Sequence, residues 1–438
     1  MISNLLFKQI DNSALTVFRV FFGLLIFLES VGAIFTGWVD RVLIEPQFTF
    51  TFIGFEWLQP LPGQWMYLYY IIMGVFGLLV MVGYKYRFSI IAFTVMWTVT
   101  YIMQKSSYNN HYYLLIFLSA FMAIVPANRY LSIDAKLNPS IQRNSMPQWC
   151  TLIFILQMWI VYTYASLAKI YPDWLDTSVV DILMQSKANY YLIGDILQQK
   201  WLHYFIAYLG IIFDLLVVPL LLWKPTRKYA FFAAIFFHIF NSIVFQIGIF
   251  PFLSLALCLF FFEPKTIKDI FLRKKKYYNN EDIVVPKNRI FLLPLFLLYF
   301  CIQILLPLRH WVINSEVLWT EEGHRMSWRM MLRSKSGSTF YKVIDKSSGE
   351  VIQIQLEDYL TKKQMNAVST KPDVIWQFSQ YLKQSFGAKG KDVSVYVDCR
   401  VQVNGKPFQR LINPETDMAT AKWNVFKHND WILPRKQD

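Results

Sequence analysis

For most of its length the chain alternates between long apolar stretches and short polar breaks. The apolar stretches run over Ala14–Gly37, Trp65–Gly83, Phe88–Gln104, Tyr112–Pro126, Cys150–Ala168, Trp201–Trp223, Tyr229–Phe245, Gly248–Phe262 and Ile290–Pro307. Such runs predict membrane-crossing helices, nine in number, although several fall short of the roughly 20 residues a full crossing needs. After Leu308 the pattern changes. Phe340–Asp345 and Val351–Leu356 flank the polar stretch Lys346–Glu350 and read as a hairpin. Val393–Val403 alternates, meets the turn pair Asn404-Gly405 and returns through Phe408–Ile412. Pro372–Phe386 reads as a helix with Pro in its first turn and Gly387 as its C-cap. The expected fold is a polytopic α-helical membrane bundle, residues 1–307, carrying a C-terminal extracytoplasmic α+β, strand-rich domain, residues 308–438.

Composition agrees with this. Only 16% of residues are charged and 55% are hydrophobic, against about 25% charged in a soluble domain. A net charge of +14 could suit nucleic acid. The basic residues, however, sit mainly in short loops, and no zinc-finger or helix-turn-helix pattern accompanies them, so the expected partner is the lipid bilayer and not nucleic acid. With the N-terminus cytoplasmic, one side collects Lys85, Arg87, Arg129, Lys136, Arg143, Lys224, Arg227, Lys228 and the basic run from Lys265 through Lys287 to Arg289. The opposite loops offer only Arg41, Lys105, Lys169, Lys187 and Lys200. Positive charge stays inside, which puts the C-terminal domain outside the membrane. The N-terminus shows no cleavage pattern, so the first span is expected to act as an uncleaved anchor. Four cysteines, Cys150, Cys258, Cys301 and Cys399, lack metal-like spacing and are expected to be buried, inert thiols.

Three polar clusters then change the picture, because each interrupts sequence that should be plain hydrocarbon. They are Lys105-Ser106-Ser107-Tyr108-Asn109-Asn110-His111, Lys169 at the end of the fifth span, and His238 with Asn241 before the turn that follows the seventh. All fall in the outer half. Intramembrane ionisable groups mark functional cavities by default. Each has a plainer reading: Lys169 could snorkel to the headgroups, the others could join helices, and Asp214 in the sixth span reads as structural. No metalloprotease, nucleophile-elbow, phosphate-loop or dinucleotide motif is present, and no metal is expected.

The order of these pieces resembles the vitamin K-dependent γ-glutamyl carboxylase family. The matching stretches are Lys105–Leu114, Ala127-Asn128-Arg129-Tyr130-x-Ser132-x-Asp134, Lys169-Ile170-Tyr171-Pro172-Asp173-Trp174, Phe237–Phe250 and Trp319-x8-Trp328. The resemblance implies carboxylation of protein glutamates with CO2, driven by oxidation of reduced vitamin K, or menaquinol, by O2. It implies Lys169 as the base that deprotonates the quinol, a free amine kept dry. Asn110 and His111 would stabilise developing charge, and His238 and Asn241 would bind the quinone. Trp319 and Trp328 would bind the glutamate substrate, with His324, Arg333 and Lys335 supplying positive charge. The implied partners are a quinone and a glutamate-containing secreted or surface polypeptide, and the lysine- and asparagine-rich composition suggests a bacterial inner membrane as the location. A quinol epoxidase without carboxylation, or a non-enzymatic membrane ligand binder, are the alternatives.

Overall fold

The computed structural model describes residues 2–280, 282–286, 289–313 and 315–436; Lys287 of the expected basic loop lies outside them. Each predicted apolar stretch forms a helix: α1 (Ser13–Phe35), α2 (Trp65–Val82), α3 (Tyr86–Met103), α4 (Asn110–Ile124), α5 (Trp149–Leu167), α6 (Lys200–Leu222), α7 (Arg227–Val244), α8 (Phe250–Leu257) and, after the short helix α9 (Pro264–Phe271), α10 (Arg289–Val312). Six of these are long and apolar enough to cross a membrane, or seven if the bent pair Phe250–Phe261 and Pro264–Phe271, turned by 118°, is one span. The expected count of nine exceeds this. α4 has 15 residues, about 22 Å of helix against roughly 30 Å of hydrocarbon. α7, which begins with Arg227 and Lys228 and carries His238 and Asn241, is outside the apolar set.

The bundle is fastened on its basic-loop side by buried polar groups, of which the sequence reading passed over Arg19 and Asp11. Arg19, fully buried in α1, donates to the Ala127 carbonyl at 3.4 Å and the Leu131 carbonyl at 2.5 Å. Asp134 accepts from the Lys85 and Tyr86 amides at 2.8 and 3.0 Å and from Asn128 at 2.8 Å. The Ala127–Asp134 motif is therefore a helix clamp that meets the orphan amides at the start of α3. Asp11 pairs at 2.5 Å with Lys275, both side chains fully buried, beside the two-stranded sheet of β1 (Gln9–Asp11) and β2 (Ser145–Pro147).

The C-terminal domain is a four-stranded antiparallel sheet, ordered β4-β3-β5-β6, with β3 (Lys335–Asp345), β4 (Val351–Ile354), β5 (Val393–Val403) and β6 (Gln409–Arg410). Both predicted hairpins form, with Ile344 opposite Val351 and Arg400 opposite Arg410. Asn404 and Gly405 take φ of +54° and +74°, as the turn requires. Alternate residues of β5 are buried, and α12 (Pro372–Gly387) packs on that face through Ile375, Phe378 and Leu382, preceded by α11 (Lys362–Val368). The predicted cap shifts: α12 runs through Gly387, and the left-handed residue is Gly390, φ +79°. Cys301 also departs from expectation, being exposed on α10 while the other three cysteines are buried.

Candidate functional site

The domain is held over the bundle by buried charge. Asp373, at the start of α12, takes Lys105 at 2.7 Å and Arg325 on one carboxylate oxygen. These cations hold its carboxyl down at about 2 despite burial, whereas burial lowers Lys105 to about 8 against Asp373's pull. Asp173, of the Pro-Asp-Trp stop, takes Lys406 at 2.6 Å and Asn404 at 2.9 Å. These clamps fix segment 325–331 as a roof on the end of the bundle that meets the C-terminal domain. Met326, Trp328 and Met331 in that roof have φ of +57°, +56° and +53°, a conformation that costs of order 1 kcal/mol or more per side chain and collects at functional sites.

Beneath the roof lies a cavity of about 80 Å³. His111, Tyr162, Lys169, Asp214 and Asn241 are its polar lining, and Trp174, Phe237, Phe245, Ile247, Phe250, Met330 and Met331 are among its apolar walls. Few polar groups converging in an apolar cavity is the usual form of a small-molecule site. Lys169 follows the last turn of α5, and its Nζ lies 2.5 Å from Asp214 Oδ2 and 3.1 Å from the Ala165 carbonyl. The Trp174 ring centroid is 5.8 Å away. α5 and α6 are registered by Ser166, which donates to the Ile211 carbonyl at 2.9 Å. Both members of the pair are buried, so neither charge is isolated in the low-dielectric interior.

His238 meets the Tyr162 hydroxyl at 2.7 Å through Nε2, and its Nδ1 has no partner among the described residues. His111 stacks on Phe250 at 4.4 Å between centroids and also leaves Nδ1 unpartnered. Phe250 in turn meets His238 edge-on at 5.8 Å. The structure thus brings Lys169, His111 and Asn241 to one cavity, with His238 behind Tyr162. Asn110 does not line it. Its amide accepts from Tyr108 and donates to the Arg329 carbonyl, each at 2.7 Å, which ties the roof down.

The two tryptophans part company. Trp319 is buried in the sheet domain, donating to the Leu433 carbonyl at 2.8 Å. Trp328 is buried in the bundle core, 5.0 Å from Tyr113. His324, Arg333 and Lys335 do converge, but on the chain's own Glu321. Arg333 reaches its carboxylate at 2.6 Å and Lys335 at 3.6 Å, and Arg333 meets His324 at 3.0 Å. Those cations hold the Glu321 carboxyl well below the usual range, and burial beside Arg333 pushes His324 down.

Sequence reasoning named Asp214 only as structural, yet it is the direct partner of Lys169; a carboxylate on the helix packed against α5 was the available signal. Glu29 in α1 was missed as well; it lines a separate small pocket with Tyr70, Tyr101 and Tyr112.

Two family models divide the chain. The HTTM domain matches residues 7–265, and the vitamin K-dependent gamma-carboxylase lumenal domain matches residues 288–438. The chain belongs to the vitamin K-dependent γ-carboxylase family. No solved structure matches it. The pairing of models indicates a vitamin K-dependent carboxylase of the membrane, with a requirement for reduced vitamin K and glutamate-containing protein substrates.

Proposed function

We propose that this protein carboxylates the γ-carbon of glutamates in secreted or surface polypeptides, using CO2, and couples that step to epoxidation of reduced vitamin K or menaquinol by O2. The bundle (1–307) has nine membrane segments, two of them short or polar, and holds the quinol. The domain at 308–438 faces the exterior of a bacterial inner membrane and handles the polypeptide. The observation that carries the reading is the buried Lys169–Asp214 contact in a cavity that also presents His111.

The cavity suits a quinol. Its walls are aromatic and aliphatic, and the orphaned Nδ1 of His111 is a buried polar position on its lining that a ring hydroxyl would satisfy. His111 and Asn241 would orient the ring oxygens, with Phe237 and Phe245 against the ring. When bound, the quinol supplies, on oxidation, the driving force for removing a γ-hydrogen no side chain could remove. Lys169 keeps the role of base expected from sequence, with Asp214 as its direct partner. Asp214 Oδ2 takes the ammonium proton, so no net charge is created in the dry cavity, and Nζ then accepts the proton of a ring hydroxyl. Phe250, Met330 and Met331 exclude water, and Tyr162 holds His238 in place. Mass spectrometry of a co-incubated glutamyl peptide, with reduced quinone, O2 and CO2 supplied, tests the reading. It is expected to show γ-carboxyglutamate with the native protein and none with Lys169→Gln; quinone epoxide without modified glutamate would leave only an epoxidase.

A further inference from the structure

A second, larger space lies on the other side of the wall that bounds the Lys169 cavity. It is a groove of about 680 Å³ between the end of α5, the end of α10 and segment 315–318. Neighbouring residues of the same two segments line the two spaces. Ala168 and Ile170 face the groove while Lys169 faces the cavity, and Ser327 and Arg329 face the groove while Met330 and Met331 face the cavity. Tyr171 pins the wall by donating to the Leu332 carbonyl, and Ala168 packs with Leu332.

The floor of the groove holds a cation that the fold does not neutralise. Arg329 makes no ion pair among the described residues, and its Nε is buried without a partner. Its Nη1 lies 3.3 Å from His310 Nε2. His310 Nδ1 sits 2.7 Å from the Pro307 carbonyl and must donate there, which leaves Nε2 as an acceptor that orients the guanidinium. Burial lowers Arg329 to about 10, so it stays charged at neutral pH. Glu316, the one acid lining the groove, turns to Arg435 at 3.5 Å. A desolvated guanidinium with free donors fits a carboxylate better than any neutral group.

We propose that this groove receives the glutamyl segment of the polypeptide substrate, with Arg329 as the residue that takes the glutamate carboxylate. The wall at 327–331, strained at Trp328 and Met331, is then where the substrate side chain meets the Lys169 cavity. This rests on the carboxylase reading for the choice of a glutamyl peptide. The occupant follows from charge complementarity and from the groove sharing a wall with the site of chemistry.

The test is direct binding. The full-length protein in phosphatidylcholine nanodiscs is titrated into a fluorescent glutamyl peptide and read by anisotropy. Arg329→Gln in the protein and Glu→Gln in the peptide are each expected to weaken binding about tenfold or more, with no further loss when combined. Arg329→Lys should restore part of the affinity. Leu167→Trp, at a half-exposed wall position, should obstruct the groove without emptying a core site and also weaken binding. Native affinity in Arg329→Gln overturns the proposal. So does a loss equal for both peptides, or a variant that sheds a co-purifying anionic lipid while its peptide affinity stays native. Because the readout is binding, the two readings fail separately. A groove that binds peptide through Arg329 in a protein that never forms γ-carboxyglutamate refutes the reaction alone. Carboxylation by a protein whose peptide affinity ignores Arg329 refutes the groove alone.

Discussion

Replacing Asp373 with Asn should loosen the roof over the candidate site without touching its lining. In the native structure one carboxylate oxygen takes both Lys105 and Arg325, and the side chains are 5%, 2% and 15% exposed. The amide is nearly isosteric but neutral, so two buried cations lose the one carboxylate that both contact directly. Breaking a buried pair by removing one partner costs about 3–5 kcal/mol. A second route gives a smaller but consistent figure. Asp373 titrates at about 2 when folded instead of its ordinary 3.8, which corresponds to about 2 kcal/mol of stability carried by the ionised form. The folded value is depressed, so this contribution is full above about pH 4 and is lost as pH falls through about 2. Hydrogen exchange of amides in 325–331 and at the start of α12, measured in nanodiscs at neutral pH, reads the local opening. The expected acceleration in Asp373→Asn is about 10²- to 10³-fold. The native protein should approach the variant's behaviour only in strong acid. Exchange in the variant within about threefold of native would refute the view that this carboxylate fastens the roof.

The other predictions follow from the same structure. Asp214→Asn and Lys169→Gln should each lower quinol turnover by about 10²-fold or more, read as kcat for epoxide formation, with the fold intact by circular dichroism; a near-native Asp214→Asn would show that the carboxylate carries no proton. Glu321→Gln leaves Arg333, Lys335 and His324 facing one another in a buried space. It should destabilise the sheet domain by about 3–5 kcal/mol, seen as proteolysis of β3 at lower denaturant. Trp319→Ala and Trp328→Ala should each cost about 3–5 kcal/mol but in different places, exposing the sheet domain in the first case and the α4–roof contact in the second, as hydrogen exchange would map. A shared substrate-binding role for the two rings would instead give matched losses of peptide affinity with neither region exposed.

The sequence by itself determined what periodicity and composition govern. Helix positions followed from apolar run length, both hairpins followed from alternation and the Asn404-Gly405 turn, and the polar residues at Lys169, His111 and His238 stood out because hydrocarbon makes such groups costly. Which of them meet was decided only in three dimensions. Asp214 lies 45 positions from Lys169, and nothing in either local stretch says that α5 and α6 pack so as to join them. The same holds for Trp319 and Trp328, close in sequence yet buried in separate cores. Arg333 and Lys335 read as open positive charge until the fold turned Glu321 onto them. Local pattern reflects the cost of exposing each residue, so it finds elements and conspicuous groups. Pairing of buried charges is set by helix packing and domain docking, which act between residues far apart in the chain.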